Sequence, residues 1–353
     1  MSYGPEHITE QIISDLKEIN THSELDLREI VNSSLVITGA SGFIGTWLTL
    51  SWVAARKKFN GSGRLLITSR NPESLIPMSA FLDSENSITV IPSDIRTFVI
   101  PENFRDGYLI HAATPASAAL NKDDPLGMLK NIIEGQERVI SEAVRTNCKM
   151  LFLSSGAVYG RQPLDLLQIP ESWSGAPDVN NVDSAYHEGK RVAELMGYIA
   201  AEKQGLHFVS ARLFAFIAPF LPLGTHFAAG NFIRDAINSN EIEIMSGGGS
   251  VRSYLYATDL CSQLWALLVR GANATPYNVG SNIEVTIREL ANAVVENVNK
   301  SAAVVVRGID NSMNVTRYVP SIEKTKQDIG QSQTISLDEA LSRTAQWLGQ
   351  TGV

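Results

Sequence analysis

Residues 34–45 read SLVITGASGFIG, an apolar segment that runs into a glycine-rich turn. The segment 34–38 predicts a short buried strand, and a helix is predicted over 43–57. Gly39, Gly42 and Gly45 let the backbone approach a pyrophosphate closely, and the phosphate charge then meets the free N–H groups of the helix N-terminus. The spacing G-x-x-G-x-x-G differs from the commoner G-x-G-x-x-G. The turn therefore predicts a dinucleotide site through its position between a strand and a helix.

The same order of strand, turn and helix is repeated downstream. Further apolar strands are predicted at 64–68, 87–91, 108–111 and 150–154, and a long helix is predicted at 124–147. Near-continuous apolar strands separated by helices are typical of a parallel sheet that is covered on both faces. We therefore expect an α/β fold with a doubly wound, Rossmann-like parallel sheet, which binds ligands outside the carboxyl ends of its strands.

The chain divides into three predicted segments. Residues 1–33 carry apolar residues at helical spacing and predict a helical extension, which either contacts another subunit or packs on the main fold. Residues 34–211 are expected to form the Rossmann-like NAD(P)-binding domain. Residues 212–353 contain Pro- and Gly-rich loops between predicted helices at 232–238, 259–270, 287–297 and 337–348. We expect this last segment to form mainly a smaller C-terminal substrate-binding lobe, interleaved with the first domain.

Composition argues against several classes of partner. The 353 residues include 29 basic and 37 acidic residues, a net charge of −8, with no long run of either sign. This balance argues against nucleic acid or an anionic membrane as the main partner, and no apolar run approaches the roughly 20 residues that cross a bilayer. Cys148 and Cys261 form neither a disulfide framework nor a metal-binding spacing. We expect a cytoplasmic protein without a metal site.

Tyr186 and Lys190 are four positions apart and therefore lie on one face of a predicted helix, one turn from each other. A lysine ammonium beside a phenol favours the phenolate, so the tyrosine can exchange a proton with an alcohol near neutral pH. Ser155, supplied from elsewhere in the chain, can hold the same oxygen by a hydrogen bond. Behind a dinucleotide-binding turn, these three residues indicate hydride transfer at a carbinol carbon.

The end of the second predicted strand bears on the choice between NAD and NADP. A protein that binds NAD usually offers an acidic residue to the ribose hydroxyl at this point. Here residues 66–71 read LITSRN and contain no acid. Ser69 and Arg70 instead favour the 2′-phosphate of NADP, although an arginine here is also typical of an exposed turn. NADP is therefore the expected cofactor, with NAD as the alternative.

Three motifs together resemble those of the extended short-chain dehydrogenase/reductases. They are GASGFIG at 39–45, SSGAVYG at 154–160 and YHEGK at 186–190, and the resemblance runs from about Ser34 to the C-terminus. Within that family the chain is most similar to the nucleotide-sugar epimerases, dehydratases, decarboxylases and reductases. The resemblance implies that Ser155 bonds the sugar oxygen and that Tyr186 is the acid/base. It also implies that Lys190 lowers the pKa of Tyr186 and binds the nicotinamide ribose.

The resemblance assigns further binding residues. In addition to Ser69 and Arg70, the cofactor would be bound by Gly39, Ser41, Gly42, Phe43, Ile44, Gly45, Asp94, Ile95, Ala112, Ala113, Thr114, Asn131, Tyr186 and Lys190. A nucleoside-diphosphate sugar would be faced by Thr114, Ser155, Gly156, Asn231 and Arg252. Asn231 is expected to open the helix at 232–238, where it would contact the diphosphate or cap the helix. The guanidinium fork of Arg252 suits a phosphate. Relatives often pair through the helix that carries Tyr186 and Lys190, which implies a homodimer.

Departures from the family's motifs reduce the number of candidate reactions. The 4,6-dehydratases carry an acidic pair directly after the serine or threonine, and the decarboxylases a glutamate two positions after it, whereas this chain has Gly156 and Ala157. Ala215 stands where relatives commonly place an asparagine that contacts the sugar nucleotide. These departures favour a 4-ketoreductase or a 4-epimerase of a nucleoside-diphosphate hexose, and the sequence does not separate the two.

Other interpretations stay open. A dehydratase or decarboxylase would need an unfamiliar route for its proton transfers. A reductase of a non-sugar carbonyl would have the same cofactor-binding domain as these nucleotide-sugar enzymes. A cofactor-sensing protein without turnover tends to lose the tyrosine or the lysine, and this chain retains both. His187 and His226 are expected to be structural or auxiliary residues near the pocket.

Overall fold

The computed structural model describes residues 5–70, 75, 87–114, 118–223, 228–310 and 315–351. Its strands are β1 (Ser34–Thr38), β2 (Arg64–Ser69), β3 (Ile88–Pro92), β4 (Tyr108–His111), β5 (Lys149–Ser155), β6 (Phe208–Leu213), β7 (Ala215–Ile217), β8 (Glu241–Ile244), β9 (Val251–Arg252), β10 (Tyr254–Tyr256), β11 (Thr275–Val279), β12 (Val285–Thr286), β13 (Ala303–Val306) and β14 (Arg317–Tyr318). Its α-helices are α1 (Glu10–His22), α2 (Glu24–Ile30), α3 (Phe43–Phe59), α4 (Ala118–Asp123), α5 (Pro125–Thr146), α6 (Ala185–Gln204), α7 (Ala228–Asn238), α8 (Ala257–Arg270), α9 (Ile287–Asn297), α10 (Glu323–Ile329) and α11 (Leu337–Thr351).

A seven-stranded sheet forms the centre of the molecule, with the spatial order β3-β2-β1-β4-β5-β6-β11. Every neighbouring pair in this sheet is parallel, and the chain winds outward in both directions from β1. This confirms the predicted doubly wound, Rossmann-like α/β fold. The five predicted strands match β1–β5 to within one residue at each end. The strands β6 and β11 were not predicted, because FVSARL and TPYNV lack a continuous apolar run.

The central strands send alternate side chains to opposite faces, and each face has its own buried cluster. Leu35 and Ile37 pack on one face with α3 and α8. Val36 and Leu66 pack on the other face with α5 and α6. A sheet buried on both faces accounts for the near-continuous apolar strands. The carboxyl ends of the strands are left as the edge at which a ligand site is expected.

The N-terminal helices α1 and α2 pack against α3 and α8, and α1 also contacts α11. The protein's own core buries Ile12, Leu16 and Ile19. This burial agrees with the alternative that the apolar pattern in residues 1–33 packs on the main fold. The buried Asp15 carboxylate accepts hydrogen bonds from the Tyr256 hydroxyl at 2.7 Å and from Arg343 at 2.9 Å. These contacts join the first helix to elements far along the chain.

The strands outside the central sheet form smaller sheets. Their strand orders are β10-β7, β12-β9-β14 and β13-β8. In the second of them β14 runs parallel to β9, and Tyr318 is in register with Arg252. Both described cysteines are buried and free. Among the described residues, no helix is long and apolar enough to cross a membrane.

Candidate active site

A cleft of about 350 Å³ lies at the carboxyl ends of β1–β4. It is lined by Gly39, Ser41, Gly42, Thr68, Ser69, Arg70, Ser93, Asp94, Ile95, Ala112, Ala113, Thr114 and Asn131. Eleven of these thirteen residues are among the sequence-predicted cofactor residues, so the fold brings segments from 39 to 131 to one place. The sequence analysis did not predict Thr68 and Ser93 as lining residues. Both lie at strand ends, where the other lining residues are found, and this position could have identified them. Phe43, Ile44 and Gly45 lie in the first turn of α3, which begins at the cleft.

The glycine turn is packed too closely for side chains at two of its positions. Gly39 has a φ of +71°, and a Cβ there would lie 2.7 Å from the backbone of Ala112. A Cβ on Gly45 would lie 2.3 Å from the Gly39 carbonyl oxygen. The turn is therefore pressed between β4 and α3, and only glycine allows this approach. A pyrophosphate at this place would meet the N-terminus of α3.

The part of the cleft at the ends of β2 and β3 carries both polar and charged groups. The Ser41 and Ser69 hydroxyls are hydrogen-bonded at 2.9 Å, and the exposed Arg70 follows directly. Asp94 accepts hydrogen bonds from the Arg96 guanidinium at 2.7 Å and from the Arg96 backbone N–H at 2.9 Å. These bonds from Arg96 lower the pKa of Asp94 to about 2. Asp94 thus caps and braces its own turn, and its negative charge is already paired.

Lys190 lies in the second turn of α6 and is only 2% exposed. Its Nζ donates hydrogen bonds to the Leu153 carbonyl oxygen at 2.6 Å and to Thr114 Oγ1 at 2.9 Å. The same atom lies 4.6 Å from the centre of the Phe152 ring. Burial lowers the pKa of Lys190 to about 7, although the Glu194 carboxylate acts in the opposite direction. The lysine thus ties the end of β5 to the loop after β4.

Tyr186 lies in the first turn of α6, and its backbone N–H donates to Asn121 Oδ1 at 2.9 Å. The Lys190 Nζ is 6.0 Å from the centre of its ring. Burial raises the pKa of Tyr186, and hydrogen bonding with the Ser155 side chain opposes that rise. The role of Lys190 in lowering this pKa stays a prediction. In this structure Lys190 directs its N–H groups to Leu153 and Thr114.

Ser155 ends β5, and its Oγ accepts a hydrogen bond from the Ala157 N–H at 3.1 Å. The next residue, Gly156, is buried and closely surrounded. A Cβ at this position would lie 2.6 Å from the Tyr318 hydroxyl and 2.7 Å from Phe214 Cζ. Gly156 is therefore a point of close approach, and no side chain fits there without movement of its neighbours.

Arg252 is half-buried on β9 and donates to the Thr316 side chain at 2.8 Å and to the Val251 carbonyl at 2.8 Å. Within the described part of the chain it makes no ion pair, and burial lowers its pKa. A half-buried guanidinium without a carboxylate partner suits an anionic ligand. Ala215, in β7, is paired with Tyr254 of β10.

Asn231 does not open its helix, because α7 begins at Ala228. The capping role is therefore wrong, since Asn231 lies inside the helix. Its Oδ1 is buried and has no hydrogen-bond partner among the described residues. His226 lies outside the described residues. His187 packs edge-on against the Tyr186 ring, with 5.9 Å between ring centres, and burial lowers its pKa.

The structure adds residues that the sequence analysis missed. Glu194 is buried one turn after Lys190, accepts from the Ser154 hydroxyl at 2.6 Å and pairs with Arg212 at 2.7 Å. Glu194 follows Lys190 by four positions, and this helical spacing could have predicted that the two side chains lie on the same face. Tyr318 approaches Ser155 and Gly156 from β14, more than a hundred residues downstream. No local pattern marks Tyr318 as a site residue.

A family model described as the NAD dependent epimerase/dehydratase family matches residues 35–280. Among curated relatives, UDP-glucuronic acid decarboxylase 5 of Arabidopsis thaliana is 28% identical over 317 residues, covering 88% of this chain and 87% of that protein. UDP-glucuronic acid decarboxylase 1 of Xenopus tropicalis is 26% identical over 320 residues, covering 90% of this chain and 72% of that protein.

Solved structures show the same fold at lower sequence identity. The UDP-glucose 4-epimerase of Thermotoga maritima, solved with UDP-glucose, has a TM-score of 0.75 at 20% identity and covers 91% of this chain and 100% of its own. The dTDP-glucose 4,6-dehydratase of Streptomyces venezuelae, solved with NAD, has a TM-score of 0.74 at 19% identity and covers 90% of this chain and 97% of its own.

Proposed function

This chain belongs to the NAD dependent epimerase/dehydratase family, and from that membership we propose that it decarboxylates a nucleoside-diphosphate uronic acid through a 4-keto sugar. The observation that carries this proposal is the similarity, over 88% of the chain, to UDP-glucuronic acid decarboxylases. It favours the decarboxylase alternative over the 4-epimerase or 4-ketoreductase that the motifs alone favour. UDP-glucuronic acid is accordingly the first substrate to test.

The missing carboxylate after Ser155 does not prevent this reaction. Oxidation of the C4 hydroxyl places a ketone two bonds from the C6 carboxylate, and a β-keto acid loses CO2 without help from a carboxylate side chain. What the site must supply is a base for the C4 hydroxyl, a cation for the anionic substrate and a proton for C5. Tyr186 and the half-buried Arg252 suit the first two tasks.

A nicotinamide dinucleotide is the proposed ligand of the cleft, because the closely packed turn with Gly39 and Gly45 leads into the N-terminus of α3, which suits a pyrophosphate. NADP is the proposed preference, since Ser69 ends β2 and Arg70 follows it. Asp94, which is the acid among the described residues that line the cleft, is already paired with Arg96. When bound, the cofactor would accept and return the hydride and bring a positive charge to the site.

The chain's own residues have distinct tasks in the proposed reaction. Tyr186 takes the proton of the C4 hydroxyl and returns it in the final step. Ser155 holds the same oxygen by a hydrogen bond. Lys190 binds the ribose through the Nζ that now donates to Thr114 and Leu153. The segment 212–353 supplies the substrate side, because β9 and β14 bring Arg252 and Tyr318 to the carboxyl edge of the sheet.

A second function is favoured by one specific observation. Neither Gly156 nor Ala157 can move a proton, which suits a 4-ketoreductase or a 4-epimerase that only interconverts alcohol and ketone. Both reactions use Ser155, Tyr186 and Lys190 in the same roles. The two functions are separated by their products and by the consumption of cofactor.

The test uses the purified full chain with UDP-glucuronic acid and NAD or NADP, with CO2 release followed by 13C NMR of substrate labelled at C6. The expected result is CO2 release without net cofactor consumption, abolished in Tyr186→Phe. Absence of CO2 would refute the decarboxylase. Stoichiometric NADPH oxidation by a 4-keto sugar nucleotide would then establish the reductase, and inversion of UDP-glucose without consumption the epimerase. Inertness towards all of these would favour a non-sugar carbonyl or a cofactor-binding protein.

A homodimer through α6 is also proposed. Leu195 and Ile199 are 57% and 50% exposed and lie one turn apart on that helix. Two apolar side chains on one exposed helix face favour contact with a second copy.

A further inference from the structure

Tyr318 is held in one position at the carboxyl edge of the sheet. It lies beside Arg252 in the paired strands β14 and β9. Its hydroxyl donates to the Leu213 carbonyl oxygen at 3.3 Å. Its ring packs on Phe214, with 4.5 Å between ring centres. The phenol is therefore oriented by contacts on two sides.

The Tyr318 hydroxyl occupies the space beside Gly156. A Cβ on Gly156 would lie 2.6 Å from the Tyr318 oxygen, so a side chain at 156 and the phenol exclude each other. Ser155 directly precedes Gly156, and hydrogen bonding with its side chain acts to lower the pKa of both Tyr186 and Tyr318. Tyr318 of β14 thus brings a hydroxyl beside Gly156, the first of the two motif positions that lack a proton donor.

The proposed decarboxylation needs that donor. When the C5–C6 bond breaks, its electron pair passes into a C4–C5 enolate, and C5 must then gain a proton. Tyr186 already holds the proton that it must return to the C4 oxygen. We infer that Tyr318 is a catalytic residue that donates its hydroxyl proton to C5, an inference that rests on the proposed function. The ketone at C4 is thereby restored, and the Tyr318 phenolate regains a proton from water.

The surroundings of Tyr318 keep its phenol protonated. Burial raises its pKa, while Ser155 and the charge of Arg252 act in the opposite direction and Tyr186 and Tyr159 raise it further. The phenol is therefore protonated at neutral pH, ready to donate. The Arg252 guanidinium stabilises the phenolate that forms after the transfer.

The experiment follows UDP-glucuronic acid turnover in D2O by the holoenzyme. The wild type is expected to place one deuterium at C5 of the pentose product with a single configuration. Tyr318→Phe should turn over about 100-fold more slowly, the typical contribution of a general acid, and should give both C5 configurations because solvent then protonates the enolate from either side. Tyr198→Phe, which removes another half-buried phenol oxygen, bonded to Ser210 at 2.8 Å, is the matched control and should behave as wild type.

A second variant keeps the test valid if Tyr318→Phe does not fold. Gly156→Ala retains the phenol but forces its oxygen away from a Cβ that would be 2.6 Å distant, so the same loss of configuration is expected. Wild-type rate and configuration in Tyr318→Phe would overturn the inference and leave the proposed function standing. Absence of CO2 from the wild type would refute the proposed function itself, and the inference with it.

Discussion

Replacing Lys190 by methionine tests the buried charge at the centre of the site. A pKa of about 7 in the folded protein, against the ordinary 10.5, corresponds to a burial cost of roughly 5 kcal/mol below pH 7. Lys190→Met removes this cost but also removes the bonds to Leu153 and Thr114, each worth about 1 kcal/mol. Methionine can retain the contact with Phe152. The cofactor-free variant should therefore be about 3 kcal/mol more stable than wild type at pH 6.

The sign of the pH dependence follows from proton binding. Between pH 7 and 10.5 the folded wild type binds fewer protons at Lys190 than the unfolded chain does. Its stability therefore rises with pH through this window, by up to about 1.4 kcal/mol per pH unit. Lys190→Met lacks this rise, so the two free energies of unfolding should become equal near about pH 9.

Urea unfolding of cofactor-free protein at pH 6, 7.5 and 9 measures these free energies. Lys203→Met, on the same helix but with a side chain that is 68% exposed, is the control and should leave both the stability and its pH dependence unchanged. The reasoning is refuted if Lys190→Met is destabilised at pH 6, or if it keeps the wild-type rise of stability with pH. Under the proposed function the stabilised variant should also lose turnover, because it lacks the ribose-binding ammonium.

Three further substitutions test the fold, the buried ion pair and the proposed dimer. Gly45→Ala places a methyl group 2.3 Å from a backbone oxygen; cofactor affinity measured by calorimetry should fall at least tenfold, and wild-type affinity would contradict the proposed pyrophosphate site. Glu194→Gln leaves Arg212 buried without a full negative partner, so urea unfolding should show a loss of about 3 kcal/mol, whereas the exposed Glu202→Gln should lose less than about 0.5 kcal/mol. Leu195→Glu charges an exposed apolar position on α6; light scattering should show wild-type dimers and variant monomers, and a monomeric wild type would sink the dimer proposal.

Much of the fold follows from local patterns. The strands β1–β5 and the helix α9 were predicted within one residue because each is a continuous apolar run or a 3.6-residue period bounded by turn residues. Most of the residues that line the cleft at the sheet edge were singled out from the sequence, since parallel strands bring the residues after their carboxyl ends to one edge. Where polar residues interrupt the run, as in β6 and β11, the pattern failed.

Local motifs were less informative about the reaction. Gly156 and Ala157 argued against decarboxylation because the acid of the related enzymes is absent from the motif. Under the proposed function, the proton donor is supplied from elsewhere in the chain. Tyr318 lies beside Gly156 in space and far from it along the chain, so its hydroxyl is invisible to any motif.

The sequence by itself was sufficient to single out Ser155, Tyr186 and Lys190 as candidate site residues, because strand ends and helical spacing are local geometry. Their ionisation depended on folding: burial lowers the pKa of Lys190 and raises that of Tyr186, and spacing alone does not show either influence. Desolvation depends on every element packed around a group, and here those elements come from distant parts of the chain. For the same reason, the half-buried charge of Arg252 and the position of Tyr318 became visible only once β9 and β14 were paired.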